Sequence, residues 1–145
     1  MDEKRFWEIV RFAIEKESMS HDFYAMASKA ARFRRTKDML DGFAAEEKGQ
    51  KEVLENLLKE RNYPADIISS FDLNLDDYFI DEEFKPGMTF GDTRWIAIRI
   101  EEYSIKLYHD LIEATGNKDL RNIFSRLVEQ EQEHKRRFEE ETFGK

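Results

Sequence analysis

Four glutamates interrupt the apolar stripes of four predicted helices, and they are the residues of the chain best placed to bind metal ions. Each stands near the middle of its helix, with apolar residues at helical spacing on both sides. Gln50 and His134 follow two of them by three residues, which places them on the same helical face. Each helix is therefore predicted to direct a carboxylate into the core. The four residues are Glu17, Glu47, Glu101 and Glu131.

Four inward carboxylates would be costly in an apolar core without a compensating charge. Left ionised, they would repel one another and lose hydration, at a cost of several kcal/mol each. Two divalent cations would cancel the negative charge, and an imidazole could complete the ligands of one of them. Oxygen-rich ligation with one nitrogen suits iron or manganese, with zinc a common substitute. Two metals about 3.5–4 Å apart can share an oxygen substrate, so the pattern predicts a two-metal site.

The elements that position these residues are long amphipathic helices. Hydrophobic residues make up 40% and charged residues 39% of the chain, a mix that suits helices with one apolar stripe and a solvated back. Thr89 and Asp92 have capping-box spacing, and Gly116 followed by Asn117 indicates a helix end and a new N-cap. The sequence predicts one all-α domain over residues 1–145, a four-helix bundle with helices at about Asp2–Arg32, Thr36–Arg61, Thr89–Gly116 and Asn117–Glu141.

Residues 62–88 form a long connection between two predicted antiparallel hairpins. The first helix would be roughly 45 Å long, and about 14 extended residues can span that length. The connection is long enough to cross the whole bundle, which would make the third helix parallel to the second. Four apolar residues are predicted to hold it against the bundle: Leu73, Leu75, Tyr78 and Phe79.

The two hairpins repeat each other at a constant offset of 84 residues. The offset applies to residues on both helices of a hairpin, which chance does not readily produce. It indicates an ancient duplication and predicts a pseudo-twofold axis in the bundle. The matching pairs include Glu17 with Glu101, Tyr24 with Tyr108 and Glu47 with Glu131.

Composition excludes several classes of function. A net charge of −8 argues against nucleic acid as a partner. The absence of cysteine excludes a disulfide framework, a thiolate zinc site and a rubredoxin-type centre. No segment approaches the ~20 apolar residues of a membrane span, and the charged first residues do not resemble a signal peptide. The expected location is the cytoplasm, with no membrane association.

Four stretches of the chain resemble the ferritin-like superfamily, and within it the single-domain rubrerythrin-like di-iron carboxylate proteins. The resemblance implies di-iron chemistry with oxygen or hydrogen peroxide. It also implies Glu17 and Glu101 as terminal ligands, Glu47 and Glu131 as bridging ligands, and Tyr24 and Tyr108 as hydrogen-bond partners of ligand carboxylates. The stretches are Ala13–Glu17 with Phe23 and Tyr24, Ala45–Gln50, Ala97–Glu101 with Leu107 and Tyr108, and Glu131–His134.

Two positions depart from the rubrerythrin pattern. Gln50 stands where the family has histidine, and Ser104 stands where rubrerythrin has an additional glutamate. A neutral carboxamide is a poorer ligand than imidazole, and we expect that an outer acceptor cannot orient it in the way that it orients a ring N–H. The sequence thus predicts a tight metal position beside Glu101 and His134 and a weak one beside Glu17. His21, one turn after Glu17, is a possible substitute ligand.

The favoured hypothesis is an oxidoreductase with two iron ions that reacts ferrous iron with oxygen or peroxide, as a ferroxidase or as an oxidant scavenger. Manganese or zinc could replace iron. The chain has no rubredoxin domain, so an external electron donor is expected. It shows no obvious fifth C-terminal helix, so a homodimer is expected rather than a shell. One alternative is a non-enzymatic iron-handling protein with a depleted site. Another is a degenerate bundle that acts as a partner module.

Overall fold

The computed structural model describes residues 1–60, 66–68, 71–80 and 83–140. These residues form a four-helix bundle, which confirms the predicted all-α class. None of the helices in these ranges is long and apolar enough to cross a membrane. The helices are α1 (Glu3–Ala30), α2 (Arg34–Glu60), α3 (Phe90–Ala114) and α4 (Lys118–Glu140), with a short 3-10 helix at Leu75–Tyr78.

The helix starts follow local capping chemistry. The capping box predicted at Thr89 and Asp92 is confirmed, with each side chain accepting a backbone N–H of the other residue. The predicted N-cap Asn117 accepts the N–H of Leu120 through Oδ1 at 3.1 Å. These side chains satisfy N–H groups that have no partner inside the helix.

Other helix ends differ from the prediction by two residues, and α3 ends at Ala114 rather than at the predicted Gly116. α1 ends two residues before the predicted Arg32, because Ala31 is already extended, with ψ 134°. α2 begins two residues before the predicted Thr36. The predicted ends at Arg61 and Glu141 lie outside the described residues.

Two antiparallel hairpins form the bundle, as predicted. α1 packs along α2 and α3 packs along α4, each pair joined by a link of three residues. The link after α3 is fixed by Gly116, whose N–H donates to Asp66 O at 2.7 Å.

The connection between the hairpins runs along the bundle beside α1 and α3. Its described residues include Leu73, which lies near the start of α1, where Arg5 donates to Leu73 O at 2.9 Å. Near mid-bundle the buried ammonium of Lys16 donates to Tyr78 O at 2.6 Å, and farther along Phe84 packs on Phe23. α3 therefore starts beside the end of α1 and runs parallel to α2.

Three of the four residues predicted to hold the connection do so. Leu73 and Tyr78 are buried, and Leu75 packs against the core. Phe79 is 46% exposed, so the prediction was wrong for this residue. Phe79 lies just after the 3-10 helix in extended backbone, where alternate side chains face opposite ways.

The apolar core is divided into two clusters along the bundle axis. One contains Phe6, Leu54, Leu107 and Phe124. The other contains Phe23, Phe43, Ile96 and Phe138. Along each helix the predicted ligands fall between residues of the two clusters, so they form a polar layer closed above and below by apolar side chains.

Candidate metal centre

One buried glutamate from each helix enters the polar layer between the apolar clusters. Glu17 is 1% exposed, and the other three are fully buried. Their positions follow from the helical period, because each stands on the apolar stripe of its helix. The three fully buried residues are Glu47, Glu101 and Glu131.

His134 shares the tightest part of this layer with three carboxylates. One potential ligand atom from each of Glu47, Glu101, Glu131 and His134 lies within 4.8 Å of the others. His134 Nδ1 is 3.1 Å from Glu47 Oε1, 3.5 Å from Glu101 Oε1 and 3.6 Å from Glu131 Oε1. These residues come from α2, α3 and α4, so the hairpins must pack face to face to build the cluster.

Glu17 and Gln50 form the other side of the layer. The Glu17 carboxyl lies close enough to Glu47 for each of the two to influence the pKa of the other. Gln50 is 2% exposed, and its Oε1 has no hydrogen-bond partner. Its Nε2 donates to Gln130 Oε1 at 3.0 Å. The expectation that an outer acceptor cannot orient the carboxamide was therefore wrong, because Gln130 on α4 accepts its N–H.

The two tyrosines exchange hydrogen bonds across the bundle. Tyr24 on α1 donates to Glu101 Oε1 on α3, and Tyr108 on α3 donates to Glu17 Oε1 on α1. The two bonds are related by the same offset of 84 residues as the sequence repeat. Burial, and then the nearby carboxylates, raise the pKa of both phenols well above the usual range. Both tyrosines therefore remain neutral donors.

Electrostatics in the polar layer favour protonated carboxyl groups. Burial, followed by repulsion from neighbouring carboxylates, raises the pKa of Glu47 and of Glu131 well above the usual range. Burial also raises the pKa of Glu17. For His134, burial lowers the pKa, but its contacts with Glu101 and Glu46 outweigh burial and raise it. Without added positive charge, the layer therefore retains protons.

The free oxygen atoms of the layer fit divalent cations. Buried oxygens with no hydrogen-bond partner are rare in native proteins, and each requires an explanation. Carboxylate and carboxamide oxygens with one imidazole suit iron or manganese, and zinc is also accommodated. The unpartnered atoms are Glu17 Oε2, Glu47 Oε2, Gln50 Oε1, Glu101 Oε2 and both carboxylate oxygens of Glu131.

Three residues beside the layer were missed by the sequence reasoning. Glu46 and Gln130 contact His134 and Gln50 from outside. They occupy equivalent positions of the repeat, 84 residues apart, but the repeat does not indicate that either one contacts the layer. Lys16 lies beside Glu17, and burial lowers its pKa against the opposing influence of the carboxylates. Nothing in the sequence pattern distinguishes Lys16 from the many solvated lysines.

His21 and Ser104, both named in the sequence analysis, lie near the layer and contribute no ligand in this structure. His21 directs Nδ1 to Ala44 O at 2.8 Å, away from the ligand role considered for it. Ser104, at the position of the additional rubrerythrin glutamate, is buried with an unpartnered Oγ. The layer therefore has a hydroxyl, and no carboxylate, at this point.

Comparison with known proteins agrees with this geometry. The sequence model of the rubrerythrin family matches residues 8–142. No curated protein gives a significant match. A Thermotoga maritima crystal structure, assigned as a ferritin-like diiron-carboxylate protein, is similar with a TM-score of 0.80 and 23% identity over 94% of this chain and 93% of that one. A hypothetical protein from Pyrococcus furiosus is similar with a TM-score of 0.71 and 16% identity, over 92% and 85% of the two chains.

Proposed function

The chain belongs to the rubrerythrin family, and we propose that it is a di-iron carboxylate oxidoreductase that reacts ferrous iron with oxygen or hydrogen peroxide. The observation that carries the proposal is the set of buried ligand oxygens without hydrogen-bond partners. Four ionised glutamates in one dry layer are stable only with compensating charge. Two ferrous ions would provide that charge.

Each ligand has a role that its contacts support. Glu17 and Glu101 would be the terminal ligands, each held by the phenol of a tyrosine from the facing helix. Glu47 and Glu131 would be the ligands shared by both ions. The remaining ligands are His134, through Nδ1, and Gln50, through Oε1. When bound, the iron pair supplies the electrons that reduce oxygen or peroxide.

The apolar clusters on either side keep the site dry. The Phe43 ring packs on His134 with centroids 4.4 Å apart, and Tyr24 stacks on Phe138 at 5.7 Å. Exclusion of water strengthens the interaction of the carboxylates with a cation. It also fixes the tyrosine hydroxyls as hydrogen-bond donors.

Electrons for repeated turnover come from outside the chain in this proposal. With no cysteine in the sequence, these residues form no thiolate-bound redox centre of their own. Ferrous iron itself can be the donor, or an external electron carrier can reduce the oxidised site. NADH alone should not support turnover.

A second candidate function is metal handling without turnover. Gln50 offers a neutral oxygen where the family has imidazole, and Ser104 leaves no additional carboxylate near Glu101. This ligand set would bind iron, manganese or zinc yet react slowly with oxidants.

Metal analysis and oxygen uptake test the proposal together. Protein purified without chelators is analysed for metal, loaded anaerobically with ferrous iron and exposed to oxygen. We expect up to two iron ions per chain and oxygen consumption above that of free iron. Glu131→Gln should lose both, whereas Glu129→Gln, an exposed neighbouring substitution, should retain both. Stable iron without oxygen uptake would favour metal handling, and a protein that binds no metal would refute both.

A further inference from the structure

Two hydrogen bonds between α2 and α4 are related by the pseudo-twofold axis but differ in chemistry. On one side His134 Nε2 contacts Glu46 Oε2. On the other, Gln50 Nε2 donates to Gln130 Oε1 at 3.0 Å. Glu46 and Gln130 are 84 residues apart, as are Gln50 and His134. Glu46 immediately precedes Glu47, and Gln130 immediately precedes Glu131. His134 and Gln50 are therefore each contacted by the residue just before a bridging glutamate of the opposite helix.

The outer partner determines which atom of the ligand faces the carboxylates. His134 has one ring nitrogen towards Glu46, and its other nitrogen faces the cluster. A glutamine side chain carries one acceptor and one donor group on the same carbon. Because the Gln50 amide nitrogen donates outward to Gln130, its Oε1 faces inward, where it is buried without a hydrogen-bond partner.

We propose that Gln130 is a positioning residue that makes Gln50 an oxygen ligand of the second metal position. Without an acceptor at position 130, the Gln50 amide group could flip, which would exchange the positions of its oxygen and its nitrogen. Its N–H groups would then donate to the unpartnered carboxylate oxygens of the cluster. An inward N–H group cannot ligate a cation and would compete with one for those oxygens. As oriented in this structure, with its oxygen towards Gln50, Gln130 holds the Gln50 amide in the orientation that keeps the second position open.

This inference rests on the proposed two-metal function and makes a separable prediction about one exposed residue. The property that matters at position 130 is acceptance of a hydrogen bond. Gln130→Glu retains an acceptor. Gln130→Met removes it at similar size, and Gln130→Lys replaces it with a donor. Because Gln130 is exposed, none of these changes should prevent folding.

Anaerobic calorimetric titration with zinc, which is redox-silent, measures both metal positions. We expect Gln130→Met to lower the affinity for the second ion about 10-fold to 100-fold and to leave the affinity for the first unchanged. Gln130→Lys should abolish the second ion, and Gln130→Glu should bind it at least as well as the wild type. Glu46→Gln, the matched substitution in the other half, should leave the second ion unchanged.

The side-chain amide of Gln50, assigned by nitrogen-15 NMR, provides a readout independent of affinity. In the wild type and in Gln130→Glu, zinc should shift the Gln50 carboxamide signals as its oxygen is ligated, and in Gln130→Met this shift should be lost at the same zinc concentration. Equal second-ion affinity in wild type and Gln130→Met would overturn the inference while leaving the di-iron proposal intact. A wild type that binds only one ion would also overturn it. A wild type that binds none would refute the proposed function.

Discussion

At neutral pH the buried glutamates of the polar layer should destabilise the metal-free protein. Glu47 and Glu131 are fully buried, and both carry oxygens without hydrogen-bond donors. In the absence of a cation, burial and mutual repulsion favour their protonated forms. Metal binding must therefore displace protons, and its affinity should increase with pH.

The raised pKa values predict how the stability of the metal-free protein varies with pH. The folded carboxyls hold protons that the unfolded chain releases above its ordinary glutamate pKa of about 4.3. The free energy of unfolding therefore falls as pH rises from that value towards the raised pKa. Metal-free Glu47→Gln should melt at least ~4 °C above the metal-free wild type at pH 7.5, equivalent to about 1 kcal/mol.

Calorimetric melting curves between pH 5 and 7.5 measure this effect, and the advantage of Glu47→Gln should shrink towards the lower pH. Glu52→Gln, at an exposed position on the same helix, is the control and should behave as the wild type. A constant difference across this range would contradict the raised pKa of Glu47.

The tyrosine hydroxyls should affect the two metal positions separately. Tyr108→Phe removes the donor to Glu17, and Tyr24→Phe removes the donor to Glu101. Each change should lower the affinity for the ion beside the glutamate that has lost its donor, by about 10-fold to 100-fold. Zinc titration resolves the two positions, with Tyr103→Phe as a control outside the ligand cluster. If both variants weakened the same ion, the assignment of tyrosines to halves would be wrong.

At the scale of the elements, the connection fastens the facing helices α1 and α3. Lys16 on α1 donates to Tyr78 O, and the Tyr78 hydroxyl donates to Asp110 Oδ2 on α3 at 2.5 Å. These bonds cross the same pair of helices as the two tyrosine–glutamate bonds. The connection therefore helps to hold Glu17 and Glu101 at a fixed separation.

Loss of the connection's hydrogen bond should destabilise the bundle measurably. Tyr78→Phe should lower the free energy of unfolding by about 1 kcal/mol, because a half-buried bond to a carboxylate is lost. Urea unfolding measures the change. A double-mutant cycle with Asp110→Ala isolates the pair. Phe79→Ala, at the exposed neighbouring residue, should change stability by less than about 0.5 kcal/mol. Additive effects of Tyr78→Phe and Asp110→Ala would show that the bond contributes nothing.

At the scale of the whole molecule, the bundle is two related hairpins with a layer of buried carboxylates between two apolar clusters. The layer draws candidate ligands from all four helices, so a metal bound there would couple both hairpins. Rubrerythrin-family membership and the ferritin-like fold agree with this organisation. The homodimer and the cytoplasmic location stay predictions, and sedimentation analysis can test the first.

Metal removal should lower the melting temperature of the entire protein. A ligand that binds only the folded state at 100 times its Kd stabilises that state by about 2.7 kcal/mol. For a domain of this size the melting temperature should rise by roughly 10 °C. Scanning calorimetry of chelated and reloaded protein at neutral pH measures the difference, with Glu131→Gln as a variant that should not respond. Equal melting temperatures in the wild type at saturating metal would contradict a central site.

The sequence by itself determined the four helices, their hairpin order and the six inward-facing ligand candidates. These features depend on local capping, on the helical period and on the repeat at 84 residues. Only the tertiary structure decided which side chains meet. It brought Gln130 to Gln50, Glu46 to His134 and Lys16 to the connection. The physical reason is that such contacts join residues 62 to 88 positions apart. They depend on how helices cross and which rotamers pack, and neither is encoded in a periodic pattern.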